Sequence, residues 1–197
     1  TRILITDKTM TDRRKIVITG GTGLLGQVLQ DRLQDRFEIE IIGRQTSPYR
    51  WDGNTLGEWA ETIDGAFAVI NLAGRTVDCR YNATNRRQIL ESRVNATRVV
   101  GEAISNAANP PKVWLNASSA TLYPHSLDRD RTEDSELDPT GFSEDVCQKW
   151  EAALMAADTP QTRRVAMRIT ISFGPERGGA TDILHRLVRL GLGGAQG

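Results

Sequence analysis

Cysteine and histidine are scarce in this chain, with two of each among 197 residues. Cys79 and Cys147 lack metal-ligand spacing and cannot build a disulfide framework, which points to a reducing compartment and away from a stapled secreted scaffold. Charge of one sign is also lacking: 25 basic residues balance 25 acidic ones, and no block of Lys or Arg occurs. That balance argues against nucleic acid or an anionic membrane as the main partner. The run Asp128, Arg129, Asp130, Arg131 alternates in sign and reads as a solvated loop. No apolar run approaches the roughly 20 residues that span a bilayer. The opening TRILITDKTM has too short an apolar stretch for a signal peptide. The expected address is the cytoplasm.

What is present is a balanced composition, 39% hydrophobic and 25% charged, in one alternating pattern. Short β-branched runs alternate with helical periodicity, the pattern of a parallel sheet covered by helices. Strands are expected at Lys15–Thr19, Glu38–Ile42, Phe67–Leu72, Val113–Ala117 and Val165–Phe173. Helices are expected at Leu24–Leu33, Leu56–Ile63 (short and weak), Asn85–Ala107, Glu144–Ala157 and Asp182–Leu190. The expected fold class is α/β, a Rossmann-type doubly wound parallel sheet with helices on both faces, over residues 13–190. Residues 1–12 read as a linker or the tail of a preceding segment. Residues 191–197 read as the start of a truncated or missing C-terminal substrate lobe.

Thr19–Gly26, TGGTGLLG, lies between the first strand and an amphipathic helix. Phosphate binding needs this order, because the backbone must approach the pyrophosphate closely and helix N–H groups must point at it. Gly20, Gly21, Thr22, Gly23, Leu24, Leu25 and Gly26 are therefore expected at a dinucleotide. The doubled glycine also satisfies G-x-G-x-x-G, so the pattern alone does not separate two dinucleotide classes. Strand two ends Ile42-Gly43-Arg44, with no acid at the tip to grip a ribose 2′-hydroxyl. A guanidinium there suits a 2′-phosphate, which favours NADP over NAD. An ordinary exposed arginine is the alternative for Arg44. Leu72, Ala73 and Gly74 follow the third strong strand and leave room for the cofactor in the crevice.

These motifs resemble those of extended short-chain dehydrogenase/reductases. TGGTGLLG resembles that family's T-G-x-x-G-x-x-G loop, NLAG its post-strand motif, and Asn95-Ala96-Thr97 the N-x-T of its long helix. SSATLYP (Ser118–Pro124) is similar to the S-S-A-T-V-Y-G of sugar-nucleotide epimerases, and Arg168 with Phe173-Gly174-Pro175 to a later L-R…Y-G-P signature. NLAG, SRVNATR, VCQKWEAA and GLGG resemble one atypical branch, described as nucleoside-diphosphate-sugar epimerases of the NAD-dependent epimerase/dehydratase family. That branch carries Arg-Trp where this chain has Arg80-Tyr81. The resemblance implies further cofactor contacts from Ala117, Ser118 and Arg168, and a small-molecule substrate such as a sugar nucleotide. It also implies a lobe beyond GLGG that closes over substrate, and pairing into a homodimer through the long helices.

The family's proton donor is a Tyr with a Lys one helical turn later. Residues four apart share a helix face, so the Lys lowers the Tyr pKa and holds the cofactor ribose. By the resemblance those positions are Val146 and Trp150, which neither move a proton nor carry charge. Ser119 and Tyr123 are the remaining catalytic candidates, although Tyr123 has an equal alternative in packing at a strand end. Lys149 reads as a solvated helix lysine, Cys147 as a buried inert thiol, His185 as a helix-surface residue, and His125 as a speculative acid/base. Two main readings stay open. One is an NADP-dependent epimerase or oxidoreductase with a non-standard proton donor; the other is a catalytically silent NADP-binding scaffold or regulatory module. A purely structural domain with a vestigial loop is a third.

Overall fold

A computed structural model describes residues 13–45, 49–137, 140–174 and 179–194. The expected leading segment 1–12, residues 195–197 and Pro175 lie outside the described residues.

The two strongest β-branched runs form the centre of the sheet. Strand β1 (Lys15–Thr19) pairs in parallel with β4 (Ala68–Asn71), Ile16 opposite Ala68 and Thr19 opposite Asn71. Strands β2 (Glu38–Gly43) and β3 (Tyr49–Arg50) extend the sheet beyond β1, and β5 (Val113–Ser119) and β6 (Arg163–Ile169) beyond β4. The order is β3-β2-β1-β4-β5-β6, and every pairing is parallel. Parallel neighbours require crossovers. These come from α1 (Leu24–Leu33), a 3-10 segment (Glu58–Ile63), α2 (Ala83–Asn106) and α3 (Phe142–Met155), and a last helix α4 (Ala180–Arg189) follows β6.

Successive strand residues point to opposite faces. Val17 and Val69 face a cluster with Val99, Val100, Trp114 and Leu154; Ile16, Ile18 and Ile70 face another, packed by Leu29 and Leu33 of α1. A sheet buried on both faces explains why its strands read as continuous apolar runs. Chain order reverses between β1 and β4, so the crevice beyond their carboxyl ends is where such sheets bind ligands.

Several boundaries differ from expectation. The two-residue strand β3 has no apolar run of its own to announce it. Strand β6 stops at Ile169, leaving Ile171 and Phe173 exposed, whereas the sequence pattern predicts extension to Phe173. Its neighbour β5 pairs as far as Ser119 with Ile169 and then turns into a 3-10 segment (Ala120–Leu122), so no ladder partner remains. The segment from Glu58 to Ile63 is a 3-10 helix rather than the weak α-helix expected from Leu56. Helix α2 starts two residues early because Asn82 caps it, its side chain accepting the Asn85 N–H at 2.9 Å.

Candidate active site

Gly20 leaves β1 at φ 71°, and a Cβ there would lie 2.8 Å from the Ala73 nitrogen and 2.9 Å from the Leu72 carbonyl carbon. The exits of β1 and β4 therefore touch backbone to backbone. In the first turn of α1, a Cβ on Gly26 would overlap the Gly21 Cα and carbonyl, so only glycine lets the helix sit on the turn. Helix α1 opens after Gly23 with no side-chain cap and no acid in its first turn. Its leading N–H groups stay open to an anion.

These backbones border a cavity of about 220 Å³, lined by Gly20, Thr22, Gly23, Arg44, Leu72, Ala73 and Gly74 among others. Arg44 stands exposed one residue past β2 and has no hydrogen-bond or ion-pair partner among the described residues. Trp51 and Asp52, which follow β3, also line this cavity and were not anticipated. Asp52 Oδ1 accepts the N–H groups of Asn54 (2.7 Å) and Thr55 (2.9 Å), and Oδ2 accepts the Thr55 hydroxyl (2.9 Å). Those bonds, led by Asn54, hold its carboxyl below the usual range. The carboxylate is thus engaged by its own loop. Of the other expected contacts, Gly21 and Gly26 pack within the turn, and Leu24 and Leu25 open α1. Ala117 is buried in β5.

Behind the wall lies a polar network that the sequence did not reveal. Thr19, Asn71, Thr97 and Asn116 are each at most 1% exposed, so each requires an internal partner. The Thr19 hydroxyl donates to Asn71 Oδ1 at 2.6 Å, and that oxygen also accepts the Ala73 N–H at 3.1 Å. Asn71 Nδ2 donates to Asn116 Oδ1 at 2.7 Å, and the Thr97 hydroxyl donates to the same oxygen at 3.2 Å. Trp150 Nε1 closes the chain by donating to Thr97 Oγ1 at 2.8 Å. The residue in place of the family's Lys therefore ties α3 to α2 and, through Asn71, to the cavity wall.

A second cavity of about 380 Å³ is lined by Tyr81, Arg93, Ser118, Ser119, Val146, Cys147 and Trp150 among others. Ser119 Oγ accepts the Thr121 N–H (3.3 Å) and the Thr121 hydroxyl (3.0 Å), so its own hydrogen is free to be donated. Burial pushes the Cys147 thiol above its ordinary pKa, a shift that Thr121 and Arg93 only partly offset. The thiol form fits the inert role expected of it.

Tyr123 and Arg168 border a different cavity, of about 730 Å³, together with Glu151. Arg168 Nε and Nη2 grip Glu151 Oε1 and Oε2, both at 3.0 Å, and Nη1 donates to the Tyr123 hydroxyl at 2.7 Å. Ser118 Oγ adds a bond to Glu151 Oε1 at 2.6 Å. Burial raises the Glu151 carboxyl, but the bonds from Arg168 and Ser118 outweigh it and leave the pKa lowered; the bond to Glu151 raises that of Arg168. The structure thus brings Ser118 and Ser119 to one cavity, and holds Tyr123 and Arg168 at another, fastened to Glu151.

The family model for the NAD dependent epimerase/dehydratase family matches residues 16–191. The chain belongs to that family. Among its relatives, the mouse (Mus musculus) epimerase family protein SDR39U1 is 33% identical over 189 residues, 93% of this chain and 62% of the relative. The chain therefore spans somewhat less than two thirds of that protein. A crystal structure of human epimerase family protein SDR39U1 (isoform 2) with NADPH superposes with TM-score 0.77 at 30% identity, covering 91% of this chain and 61% of the other. The nucleoside-diphosphate sugar epimerase from Corynebacterium glutamicum also gives TM-score 0.77, at 29% identity over 94% of this chain and 39% of that one.

In this family member, Val146 and Trp150 are 3% and 6% exposed, so the positions expected for the Tyr and Lys are built into the packing. Lys149 points elsewhere and pairs with Asp145 at 2.7 Å. His125 and His185 are exposed and line none of the three cavities. Among the described residues no group of three or more His, Cys, Asp or Glu is placed to hold a metal ion, and no helix is long and apolar enough to cross a membrane.

Proposed function

We propose that this chain is the NADP-binding core of a small-molecule epimerase or oxidoreductase that works without the Tyr–Lys pair. The observation carrying it is the adjacency of the two cavities. A Cβ on Gly74, in the wall of the glycine cavity, would lie 3.4 Å from Arg93 Cγ, in the wall of the Ser119 cavity. The residues present fit NADP: a backbone cradle closed to any Cβ at Gly20, an uncapped helix start and an Arg44 without a partner among the described residues. Bound there, the cofactor would supply or accept a hydride at its nicotinamide. The Ser119 hydroxyl then donates its hydrogen to the substrate oxygen, and Thr121, exposed and 3.0 Å away, restores it from solvent. A sugar nucleotide is the substrate class that the bacterial relative's name supports. A homodimer remains an expectation of the resemblance.

The buried Val146 and Trp150 favour a second reading, an NADP-occupied scaffold without turnover. Transfer of deuterium from 4-deuterated NADPH to keto-sugar nucleotides, or from carbon-deuterated sugar nucleotides to NADP+, separates the two, since the scaffold exchanges none. For the cofactor itself, Arg44→Ala is expected to weaken NADPH by about 1.5–3 kcal/mol, the usual worth of a charged hydrogen bond. NADH affinity stays almost unchanged. Equal losses for both cofactors, measured by calorimetric titration, contradict the 2′-phosphate assignment.

A further inference from the structure

Arg93 sits in the Ser119 cavity with its charge uncompensated. Its Nη1 donates to the backbone carbonyls of Arg75 (3.1 Å) and Ile89 (3.0 Å), and its guanidinium lies 5.3 Å from the Trp150 ring centre. No carboxylate pairs with it, and neither Nε nor Nη2 has a protein acceptor, among the described residues. The same edge of Arg168, Nε with Nη2, grips both oxygens of Glu151 at 3.0 Å. In one chain, then, one arginine has its two-point acceptor supplied by the protein and the other has the same donors vacant beside a cavity.

Burial lowers the pKa of Arg93, the mark of a cation short of compensating charge. Leaving a half-buried guanidinium unpaired costs stability, and a bound anion recovers that cost. The cavity limits which anion. Val77, Tyr81, Ile89, Phe142, Val146 and Trp150 give apolar walls, and Arg93 is the sole lining residue with a positive charge. The hydroxyls of Ser118, Ser119, Thr121 and Ser143 and the Cys147 thiol complete the lining. One cation with a free two-point edge matches in charge a carboxylate, with one charge and two coplanar oxygens, better than a phosphate monoester of nearly two charges.

We propose that Arg93 is the substrate-carboxylate receptor of this site: the ligand beside Ser119 carries a carboxylate, bound two-point by Arg93 Nε and Nη2, on an apolar or sugar-like body. The inference rests on the cofactor reading above, because it places the carboxylate in the cavity adjoining the nicotinamide end. It gives the site an orienting contact of its own: the substrate is positioned by its acid group on Arg93.

Benzoate is a suitable probe, with benzamide as its uncharged isostere and phenyl phosphate as the dianion. Each is titrated into the 197-residue chain, with and without NADPH, by ligand-observed NMR and calorimetry. Benzoate is expected to bind at least tenfold more tightly than benzamide, and no less tightly than phenyl phosphate. Arg93→Gln abolishes that preference while NADPH affinity stays within twofold, and Arg93→Lys keeps charge but loses most of the two-point gain. Equal binding of benzoate and benzamide by the wild-type chain overturns the proposal, and this arm stands even where the variants do not fold. Tighter phenyl phosphate overturns the carboxylate assignment. Loss of NADPH binding in Arg93→Gln moves Arg93 to the cofactor and also overturns it. Failure of benzoate with NADPH bound sinks this inference alone, whereas failure of NADPH in the folded wild type sinks the cofactor reading.

Discussion

Restoring the family's pair by Val146→Tyr with Trp150→Lys is expected to yield a destabilised protein without turnover. Trp150 is buried and its indole N–H is one of the bonds satisfying Thr97. Removing a buried Trp side chain typically costs about 3–5 kcal/mol. The new ammonium would also enter a buried site beside the Arg93 guanidinium, with like charges opposed. For a domain of this size, about 1 kcal/mol shifts Tm by roughly 2–4 °C, so a fall of about 10 °C is expected. Trp150→Phe, which keeps one aromatic ring but loses the pyrrole ring and its hydrogen bond, is expected to lose less, about 0.5–3 kcal/mol. Thermal unfolding of the three proteins checks this. A double variant with unchanged Tm that turns over a sugar nucleotide would show that the site was only one pair short.

Gly26→Ala is the second large effect. Its new Cβ would overlap backbone atoms of Gly21, and no flexible side-chain end can yield. Overpacking of this kind costs about 1–3 kcal/mol, and relief requires lifting α1 off the turn. The uncapped N–H groups of α1 then move away from the phosphates, so NADPH affinity is expected to fall at least tenfold in a protein that still folds. Calorimetric titration alongside circular dichroism separates loss of binding from loss of structure. Wild-type NADPH affinity in Gly26→Ala would remove the glycine turn from the cofactor site.

Much of this was legible in the chain, and the limits have physical causes. The runs KIVIT and FAVINL announce β1 and the region of β4 because a sheet covered on both faces buries Ile16–Thr19 and Ala68–Asn71 without a gap. Gly20 and Gly26 were legible because contacts that exclude a Cβ leave one residue type. The place of Arg44 in the wall of the glycine cavity was legible because it follows a strand tip. Trp51 and Asp52 were not, since they reach the cavity through β3, a strand held by pairing to β2 rather than by its own pattern. Periodicity shows which face is buried but not which partner meets it, so the union of Asn71, Thr97, Asn116 and Trp150 from four elements stayed hidden. For the same reason Arg168 and Ser118 read as cofactor contacts, while their shared tie to Glu151 did not. Arg93 was legible only as a letter of SRVNATR; its vacant edge emerges from the packing of α2 against α3.

The account turns on whether a Rossmann-type cradle with Arg44 at its rim selects NADP although the family's proton-donating pair is gone. The most direct measurement is titration of the wild-type chain with NADPH and with NADH, read by calorimetry and by quenching of tryptophan fluorescence. Trp51 lines the glycine cavity, so quenching of its emission is the expected signal of occupancy there. The account predicts saturable binding of NADPH at least tenfold tighter than that of NADH. Equal affinity for the two, or no binding of either by a folded protein, would contradict it.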